Sequence, residues 1–197
     1  MTQPARNNYD VVPNLDRSHS SAHPNRMATI AACCASSGRR LNARVLELGC
    51  ANAGILLPMT ANLPGTSFVG VDYSARQIAK GQAALAELGL TNITLRHGSI
   101  LDVDSGLDQF DYIIAHGVFL WISPEVQDKM LAICRQYLAP NRVAYISFNT
   151  LPGWYGKLYV RDRMLHYTCG NSDPQGRIRR AREVFGQMER LVAWPTT

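Results

Sequence analysis

The chain has 197 residues, of which 46% are hydrophobic and 18% are charged. This composition excludes an intrinsically disordered or fibrous protein, and the length is sufficient for one well-packed core. The net charge of +5 reflects basic residues that gather toward the C-terminus. We interpret the arginines of residues 177–182 as a solvated helix face, because aromatic residues do not interleave with them as they do on nucleic-acid surfaces. The sequence therefore argues against a nucleic-acid partner.

Cysteine spacing and hydropathy restrict the cellular compartment. The five cysteines form an odd set, and only Cys33 and Cys34 are adjacent in sequence. This spacing suits neither a metal site nor a disulfide framework, so we expect reduced thiols and no bound metal. The N-terminus has no apolar signal core, and no apolar run is long enough to span a membrane. These features predict a soluble, cytoplasmic protein without a membrane partner.

The first 24 residues are polar and are interrupted by Pro4, Pro13 and Pro24. Such a segment is predicted to be extended or mobile, and we regard residues 1–24 as a possible lid over a site. A helical pattern of apolar residues follows from Asn25 to Ala35. This helix is expected to pack against the rest of the fold or to cover a site.

Strands and helices then alternate regularly along the chain. The predicted strands are Arg44–Gly49, Phe68–Asp72, Ile93–His97, Phe110–Ala115 and Arg142–Asn149, and the predicted helices are Ile55–Asn62, Ala75–Leu88 and Pro124–Tyr137. For the helix from Ala75 to Leu88 the sequence supplies Ser74 as N-cap, Gln77 at the capping-box position and Gly89 as C-cap. This alternation predicts an α/β fold with a doubly wound parallel sheet.

After the fifth strand the chain contains only helical patterns. We predict helices over residues 155–167 and 175–192 and no further strand, which gives a domain of residues 25–154 and a helical C-terminal extension of residues 155–197. The fifth strand would then be an unpaired edge, which proteins usually cover. We therefore expect the second of these helices either to cover that edge or to dock onto a partner chain or onto a C-terminal portion missing from this chain.

Ligands of doubly wound sheets bind beyond the carboxyl ends of the strands. The first strand ends in a turn of small residues, Gly49-Cys50-Ala51-Asn52-Ala53-Gly54, which permits close approach of a ligand to the backbone. The second strand ends in Asp72, where an acid can hold a ribose diol. A turn and an acid in this arrangement indicate a cofactor that contains adenosine.

These residues by themselves leave two cofactors open. The pattern Gly49-x-Ala51-x-x-Gly54 satisfies a loosened dinucleotide motif, so a nicotinamide enzyme is possible. However, the Tyr-x-x-x-Lys pair of one large dehydrogenase group is absent, since none of Lys80, Lys129 and Lys157 follows a tyrosine at that spacing. S-adenosylmethionine, which needs the same turn and the same acid, is the alternative.

Three segments resemble the first, second and fourth motifs of class I methyltransferases: Val45-Leu46-Glu47-Leu48-Gly49-Cys50, Phe68-Val69-Gly70-Val71-Asp72-Tyr73-Ser74 and Phe110-Asp111-Tyr112-Ile113-Ile114-Ala115-His116-Gly117. Further segments resemble bacterial methyltransferases with a following regulatory domain, a group that includes the rickettsial-type protein-lysine methyltransferases: Tyr9-Asp10, His23-Pro24-Asn25-Arg26, Leu57-Pro58-Met59, Trp121 and Asn149-Thr150-Leu151-Pro152-Gly153-Trp154. The resemblance covers roughly residues 9–168. It implies a Rossmann-like fold, S-adenosylmethionine as cofactor and protein lysine as the methyl acceptor. Class I methyltransferases normally add two closing strands after the fifth, which this chain is expected to lack.

The sequence departs from the family pattern at the cofactor turn. Ala51 and Ala53 stand at the two later glycine positions, and their methyl groups are expected to narrow the approach to the cofactor. Ser99 stands where many members have an acid that accepts from the adenine amino group, and a serine hydroxyl lacks the charge assistance of that acid. These departures leave a second hypothesis open, a cofactor-binding or interaction module without turnover.

The resemblance and the position at the sheet edge together define the candidate site residues. For the catalytic step we expect His116 as a proton acceptor and an acceptor pocket lined by aromatic side chains. We expect backbone N–H groups or the cofactor ammonium to hold the Glu47 carboxylate. The candidates for the aromatic pocket are Tyr9, Trp121, Trp154 and Tyr155, and the candidates for cofactor binding are Glu47, Gly49, Cys50, Ala51, Asn52, Gly54, Asp72, Tyr73, Gln77, Ser99, Ile100 and His116.

Overall fold

A computed structural model of the chain describes residues 22–27, 29, 42–104 and 106–192, with side chains up to residue 187. Five strands and five longer helices follow one another in these residues. In chain order they are β1 (Arg44–Leu48), α1 (Leu56–Asn62), β2 (Ser67–Asp72), α2 (Ala75–Leu88), β3 (Ile93–His97), β4 (Phe110–Ala115), α3 (Pro124–Tyr137), β5 (Leu138–Ile146), α4 (Tyr155–Thr168) and α5 (Pro174–Val192).

The five strands form one parallel sheet with the order β3-β2-β1-β4-β5. The predicted doubly wound Rossmann-like sheet is therefore confirmed. Because the chain adds β2 and β3 on one side of β1 and β4 and β5 on the other, the strand order reverses between β1 and β4. A crevice at the carboxyl ends of the strands is expected at such a reversal.

The central strands are buried on both faces, and successive side chains of β1 enter two different hydrophobic clusters. Val45 packs in a cluster with Tyr112 and Ile114, whereas Leu46 and Leu48 pack on the other face with residues of α3. This alternation follows from the two-residue period of a strand. It explains why β1 has an almost continuous apolar sequence, interrupted by a single carboxylate.

The capping signals of α2 act as the sequence predicts. The Ser74 hydroxyl accepts a hydrogen bond from the Gln77 N–H at 3.2 Å, and Gly89 ends the helix in the left-handed conformation with φ of 64°. The Leu90 N–H then donates to the Leu85 carbonyl at 3.1 Å, which satisfies one of the last carbonyls of the helix.

The predicted start of the fifth strand at Arg142 is wrong. β5 begins directly after α3 at Leu138 and ends at Ile146, three residues before the predicted end at Asn149. Leu138 lies opposite Phe110 and Val143 lies opposite Tyr112, so five steps along β5 match two steps along β4. Ala139-Pro140 indicated the end of the helix and a loop, but the structure places both residues in this bulge, next to Asn141 with φ of 59°.

The chain divides into two compact units, residues 1–148 and 149–197. In the second unit α4 and α5 pack together, and residues 149–192 contain turns and helices but no strand.

The predicted domain boundaries at residues 24 and 154 remain predictions. The predicted lid and most of the helix from Asn25 to Ala35 lie outside the described residues, although 24–27 are helical. Within the described ranges, no helix has the length and apolar character to cross a bilayer.

A buried ion pair joins the strands of the first unit at the end opposite the crevice. One carboxylate oxygen of Asp111 binds Arg142 Nε at 2.9 Å, and the other accepts from the Arg44 N–H at 2.9 Å. The side chains of Asp111 and Arg142 are only 9% and 14% exposed. This carboxylate therefore links β1, β4 and β5.

We predict that Asp111→Ala lowers the free energy of unfolding by about 3 kcal/mol, because it leaves the buried guanidinium of Arg142 without its partner. Asp108→Ala is the matched control, since it removes an 84% exposed carboxylate that pairs with the side chain of Arg44 at 2.7 Å. The control should lose less than about 1 kcal/mol. Urea denaturation of both variants measures the difference, and equal losses would show that burial does not govern the pair.

Candidate functional site

A cavity of about 490 Å³ lies at the carboxyl ends of the strands, entirely within the first unit. Its size is in the range of small-molecule and cofactor sites. The residues that line it come from the ends of β1 and β2, the start of α2, the segment after β3, the segment between β4 and α3, and the first turn of α3. They are Gly49, Ala51, Val71, Asp72, Tyr73, Gln77, Ser99, Ile100, Gly117, Val118, Trp121, Ile122, Ser123 and Val126.

Gly49 begins the turn after β1 in a conformation that strongly favours glycine. Its φ is +79°, and a Cβ at this position would collide with the side chain of Val118. The N–H groups of Gly49 and Cys50 donate to the Val71 carbonyl at 2.8 and 3.1 Å. The turn is therefore bound to β2 at its first two residues, and its backbone forms part of the cavity wall.

Asp72 binds two separate backbone segments with its carboxylate. Oδ2 accepts from the Ala51 N–H at 2.8 Å, and Oδ1 accepts from the Ser74 N–H at 2.8 Å. The Ser74 backbone donor is thus bound by Asp72, the acid two residues before it. Because each carboxylate oxygen has a second lone pair, Asp72 keeps the capacity to accept from a ligand hydroxyl in the cavity.

Both alanines of the turn have left-handed backbone conformations, with φ of 49° at Ala51 and 66° at Ala53. Glycine adopts this region without strain, whereas an L-residue with a Cβ loses about 1–2 kcal/mol there. The two methyl groups differ in position, however. Ala51 lies on the cavity wall, whereas Ala53 is fully buried in the hydrophobic cluster that contains Val45. The expected narrowing of the cavity thus applies to Ala51.

Four further predicted residues lie on the cavity wall. Tyr73 is exposed beside Asp72, and Gln77 is buried in the first turn of α2. Ser99 caps a short 3-10 helix over Ile100–Asp102, where its hydroxyl accepts from the Leu101 N–H at 3.1 Å. Ile100 supplies buried apolar surface next to it.

Other predicted cofactor residues do not belong to the wall of this cavity. Cys50 is buried, and its sulfur approaches Gly70 so closely that a Cβ there would lie 2.7 Å from it. The backbone of Asn52 packs against α2, where a Cβ on Gly81 would lie 2.8 Å from the Asn52 carbonyl oxygen. Gly54 is half-buried. The structure thus assigns packing contacts to the backbone of Asn52 and to the side chain of Cys50.

Glu47 is 1% exposed in the middle of the sheet, off the cavity wall. Its Oε2 atom is buried and has no hydrogen-bond partner, so the expected backbone N–H groups do not reach this oxygen. Burial, and secondarily the negative charge of Asp72, raise the pKa of the Glu47 carboxyl from 4.5 to about 8. The side chain is therefore a neutral carboxylic acid at neutral pH.

His116 is half-buried at the end of β4, and it is not part of the cavity wall, although the next residue, Gly117, is. Its Nδ1 lies 3.2 Å from the Tyr145 hydroxyl, and the two rings are parallel within 8°. Ser147 binds the backbone on both sides of the histidine, since its hydroxyl accepts from the Gly117 N–H at 2.7 Å and its N–H donates to the Ala115 carbonyl at 3.0 Å. Residues of β5 and the segment after it thus fix both the ring and the backbone of His116.

Sequence reasoning missed these partners and most of the apolar cavity wall. Val118, Ile122 and Val126 line the cavity, but their apolar character alone predicted only burial. The single feature of the sequence that could have assigned them to the cavity was their position after β4, at the same edge of the sheet as Asp72. Tyr145 gave no signal, because an aromatic residue in a strand is usually a packing residue.

The predicted aromatic candidates have different positions. Trp121 lies on the cavity wall in a short 3-10 helix and is 60% exposed, so it is not a core aromatic. Trp154 belongs to the second unit, where Lys157 Nζ lies 4.3 Å from the centre of its ring. Tyr155, in the same unit, is exposed. Tyr9 lies outside the described residues.

We predict that only one of the two turn alanines gains stability when it is replaced by glycine. Ala51→Gly should raise the free energy of unfolding by about 0.5 kcal/mol, because relief of the left-handed strain exceeds the flexibility that glycine adds to the unfolded chain. Ala53→Gly loses a buried methyl group as well and should be neutral or destabilising. Urea denaturation compares the two variants, and a larger gain for Ala53→Gly would contradict this assignment of the methyl groups.

The raised pKa of Glu47 makes stability depend on pH. The folded chain holds the Glu47 proton more tightly than the unfolded chain does. The stabilisation that this proton gives to the folded state is therefore complete below about pH 4.5, declines as pH rises and is lost above about pH 8. We predict that Glu47→Gln removes this decline, which amounts to up to about 1.4 kcal/mol per pH unit. Glu87→Gln, at an exposed position of α2, is the control and should keep it. Unfolding midpoints measured across this range test the prediction, which fails if the two variants behave alike.

Comparison with known proteins gives consistent matches. A family model described as a methyltransferase domain matches residues 46–143. The uncharacterized proteins RP789 and RP028 of Rickettsia prowazekii (strain Madrid E) are 39% and 37% identical over 177 and 161 residues, which cover 89% and 81% of this chain. These alignments cover 32% of RP789 and 64% of RP028, so this chain spans less than two thirds of either relative.

A solved structure provides the corresponding match in three dimensions. PKMT2 from Rickettsia typhi, in complex with AdoHcy, superposes with a TM-score of 0.79 and 32% sequence identity. The match covers 94% of this chain and 36% of that protein's chain. Fold, sequence motifs and these similarities agree, and residues 46–143 form a methyltransferase domain of the class I, S-adenosylmethionine-dependent type.

Proposed function

We propose that this chain binds S-adenosylmethionine in the cavity at the carboxyl ends of the strands and transfers its methyl group to an amine, with a protein lysine side chain as the acceptor. The observation that carries the proposal is the junction of the Gly49 turn with Asp72, where exposed backbone and a carboxylate meet on the wall of a cofactor-sized cavity. The relative of known structure supports it, since PKMT2 forms a complex with AdoHcy.

The residues present suit this cofactor chemically. Asp72 can accept from ribose hydroxyls with the lone pairs that its two backbone hydrogen bonds leave. The Ser99 hydroxyl can bind a polar edge of the adenine, while Ile100 and Val126 supply apolar surface for its faces. The absence of a side chain at Gly49 lets a ligand approach the backbone of the turn. We assign Tyr73 and Gln77 to the same site, because they flank Asp72 on the cavity wall.

When bound, S-adenosylmethionine supplies a methyl group that its sulfonium already activates. The protein then has to orient the acceptor and exclude water. Val118 and Ile122 make the segment after β4 apolar at the cavity, which favours the exclusion of water. The ring of Trp121 lies on the same wall and can attract an ammonium or methylammonium group by cation–π interaction. Tyr9 and Trp154 stay predictions from the family resemblance, because Tyr9 lies outside the described residues and Trp154 belongs to the second unit.

A lysine acceptor has to lose a proton before it reacts, since its ordinary pKa is about 10.4. We propose His116 as the group that accepts this proton directly or through water. The contacts to Tyr145 and Ser147 support this role, because they hold the ring and its backbone beside the part of the segment that lines the cavity.

A second candidate function is a binding module that has lost turnover. The left-handed alanines favour it, because the Ala51 methyl group lies on the wall where the family pattern has glycine. This module would bind S-adenosylmethionine without forming product. β5 is an edge strand of the described sheet, and proteins usually cover such edges. We therefore also propose that self-association or a further C-terminal portion covers it. A cytoplasmic location remains part of the same proposal.

The decisive experiment combines binding with product formation. Calorimetric titration should show binding of S-adenosylmethionine, and mass spectrometry should then show S-adenosylhomocysteine formed with a lysine-containing peptide. The same peptide with every lysine replaced by arginine is the control and should give no product. Binding without product in either case would favour the module, and product with the arginine peptide would exclude lysine as the acceptor class.

We predict that Asp72→Asn weakens binding of S-adenosylmethionine at least tenfold while the domain remains folded. The amide keeps one acceptor oxygen but loses the charge that strengthens its hydrogen bonds, and it disturbs the bond to the Ala51 N–H. Asp108→Asn makes the same chemical change at an exposed position distant from the cavity wall and should bind like the wild type. Unchanged affinity in Asp72→Asn would remove this residue from the site.

A further inference from the structure

A buried carboxyl without a hydrogen-bond partner lies next to the candidate cofactor turn. Glu47 is two residues before Gly49, and its strand position pairs with Gly70 of β2 and Ile114 of β4, so it lies in the centre of the sheet. Its Oε2 atom has neither solvent contact nor a hydrogen-bond partner. A carboxylate in this position would lack the compensation that buried charges require.

The charged and titratable groups around this carboxyl are few. Asp72 acts on it electrostatically from the end of β2, and Cys50 is coupled to both acids from the turn. Tyr112 of β4 and Tyr145 of β5 belong to, or pack on, the hydrophobic cluster of that sheet face. Of the described groups, the one whose charge shifts the pKa of Glu47 is Asp72, and that charge raises it. The apo chain therefore holds Glu47 in its protonated form at neutral pH.

A ligand cation in the cavity would lower the pKa of Glu47, whereas the charge of Asp72 raises it. Glu47 pairs in the sheet with Gly70, two residues before Asp72, so the Glu47 carboxyl and the Asp72 carboxylate of the cavity wall lie near the carboxyl ends of neighbouring strands. The negative charge of Asp72 accordingly raises the pKa of Glu47. A positive charge placed in the cavity acts with the opposite sign, and it is screened little because the carboxyl has no solvent contact. S-adenosylmethionine carries two such charges, on its sulfonium and its ammonium, and one negative charge on its carboxylate, so its net charge is positive.

We propose that Glu47 releases its proton when a cationic ligand occupies the cavity, so that cofactor binding is coupled to the loss of about one proton from the protein. The inference rests on the proposed function, because it requires S-adenosylmethionine to bind in this cavity. In the step, the O–H bond of the Glu47 carboxyl breaks, the proton passes to solvent, and the resulting carboxylate compensates the positive charge of the ligand. No electron transfer or further reactant is involved.

Calorimetric titration in two buffers of different ionisation enthalpy tests the coupling. The wild-type chain is titrated with S-adenosylmethionine at about pH 7 in phosphate and in Tris, and the difference in heat gives the number of protons released. At this pH a carboxyl with a pKa of about 8 is about 90% protonated, so we expect about 0.9 proton more from the wild type than from Glu47→Gln. The ionisation of the ligand itself cancels in this comparison.

The pH dependence of affinity gives a second prediction of the same coupling. Binding to the wild type should tighten by up to tenfold per pH unit between about pH 6 and pH 8 relative to the variant. If Glu47→Gln binds S-adenosylmethionine too weakly for calorimetry, infrared difference spectra between the free and the bound wild type replace the comparison of the two variants. These spectra should show that the C=O band of a protonated carboxyl is lost on binding. Binding with equal proton release, or an unchanged carboxyl band, overturns the inference alone, whereas complete absence of binding overturns the proposed function as well.

Discussion

The two hydrogen bonds that the Asp72 carboxylate accepts hold the backbone of the site in place. One comes from Ala51 in the turn after β1, and the other comes from Ser74 at the start of α2. They are possible because β1 and β2 are neighbours in the sheet, so a side chain at the end of β2 reaches the turn that leaves β1. A single carboxylate thus shapes the turn, helps to fix the entry into α2 and places a negative charge on the cavity wall.

Around this link the structure accepts several unfavourable features. Ala51 and Ala53 have left-handed backbone conformations, and Glu47 is buried without a partner for one of its oxygens. Such features persist only where the packing of the surrounding residues holds them in place, and they occur typically at functional sites. Here that packing is provided by a central strand with apolar neighbours on both faces of the sheet. The stability of the core and the strain of the turn are therefore parts of one arrangement.

The irregular fifth strand has a direct consequence for the site. After the bulge, pairing with β4 resumes so that Tyr145 lies opposite Ile114 and Ile146 lies opposite Ala115. This register brings the Tyr145 hydroxyl to His116 and places Ser147 beside the backbone of Gly117. A shift of β5 by one residue would turn Tyr145 to the other face of the sheet. Tyr145 and Ser147 lie within the predicted strand Arg142–Asn149, but the sequence did not show which residues of β4 they would face.

The sequence by itself determined the alternation of strands and helices, the caps of α2, the turn at Gly49 and the acid at Asp72. These features depend on local pattern, backbone conformation and the general rule that parallel strands expose their carboxyl ends at one edge. Only the tertiary structure decided which neighbours those residues have. It assigned Ala51 to the cavity and Ala53 to the core, left Glu47 without a partner for Oε2, and joined His116 to Tyr145. The physical reason is that burial, charge coupling and hydrogen bonding depend on residues that are distant in sequence and meet only through the register of the sheet.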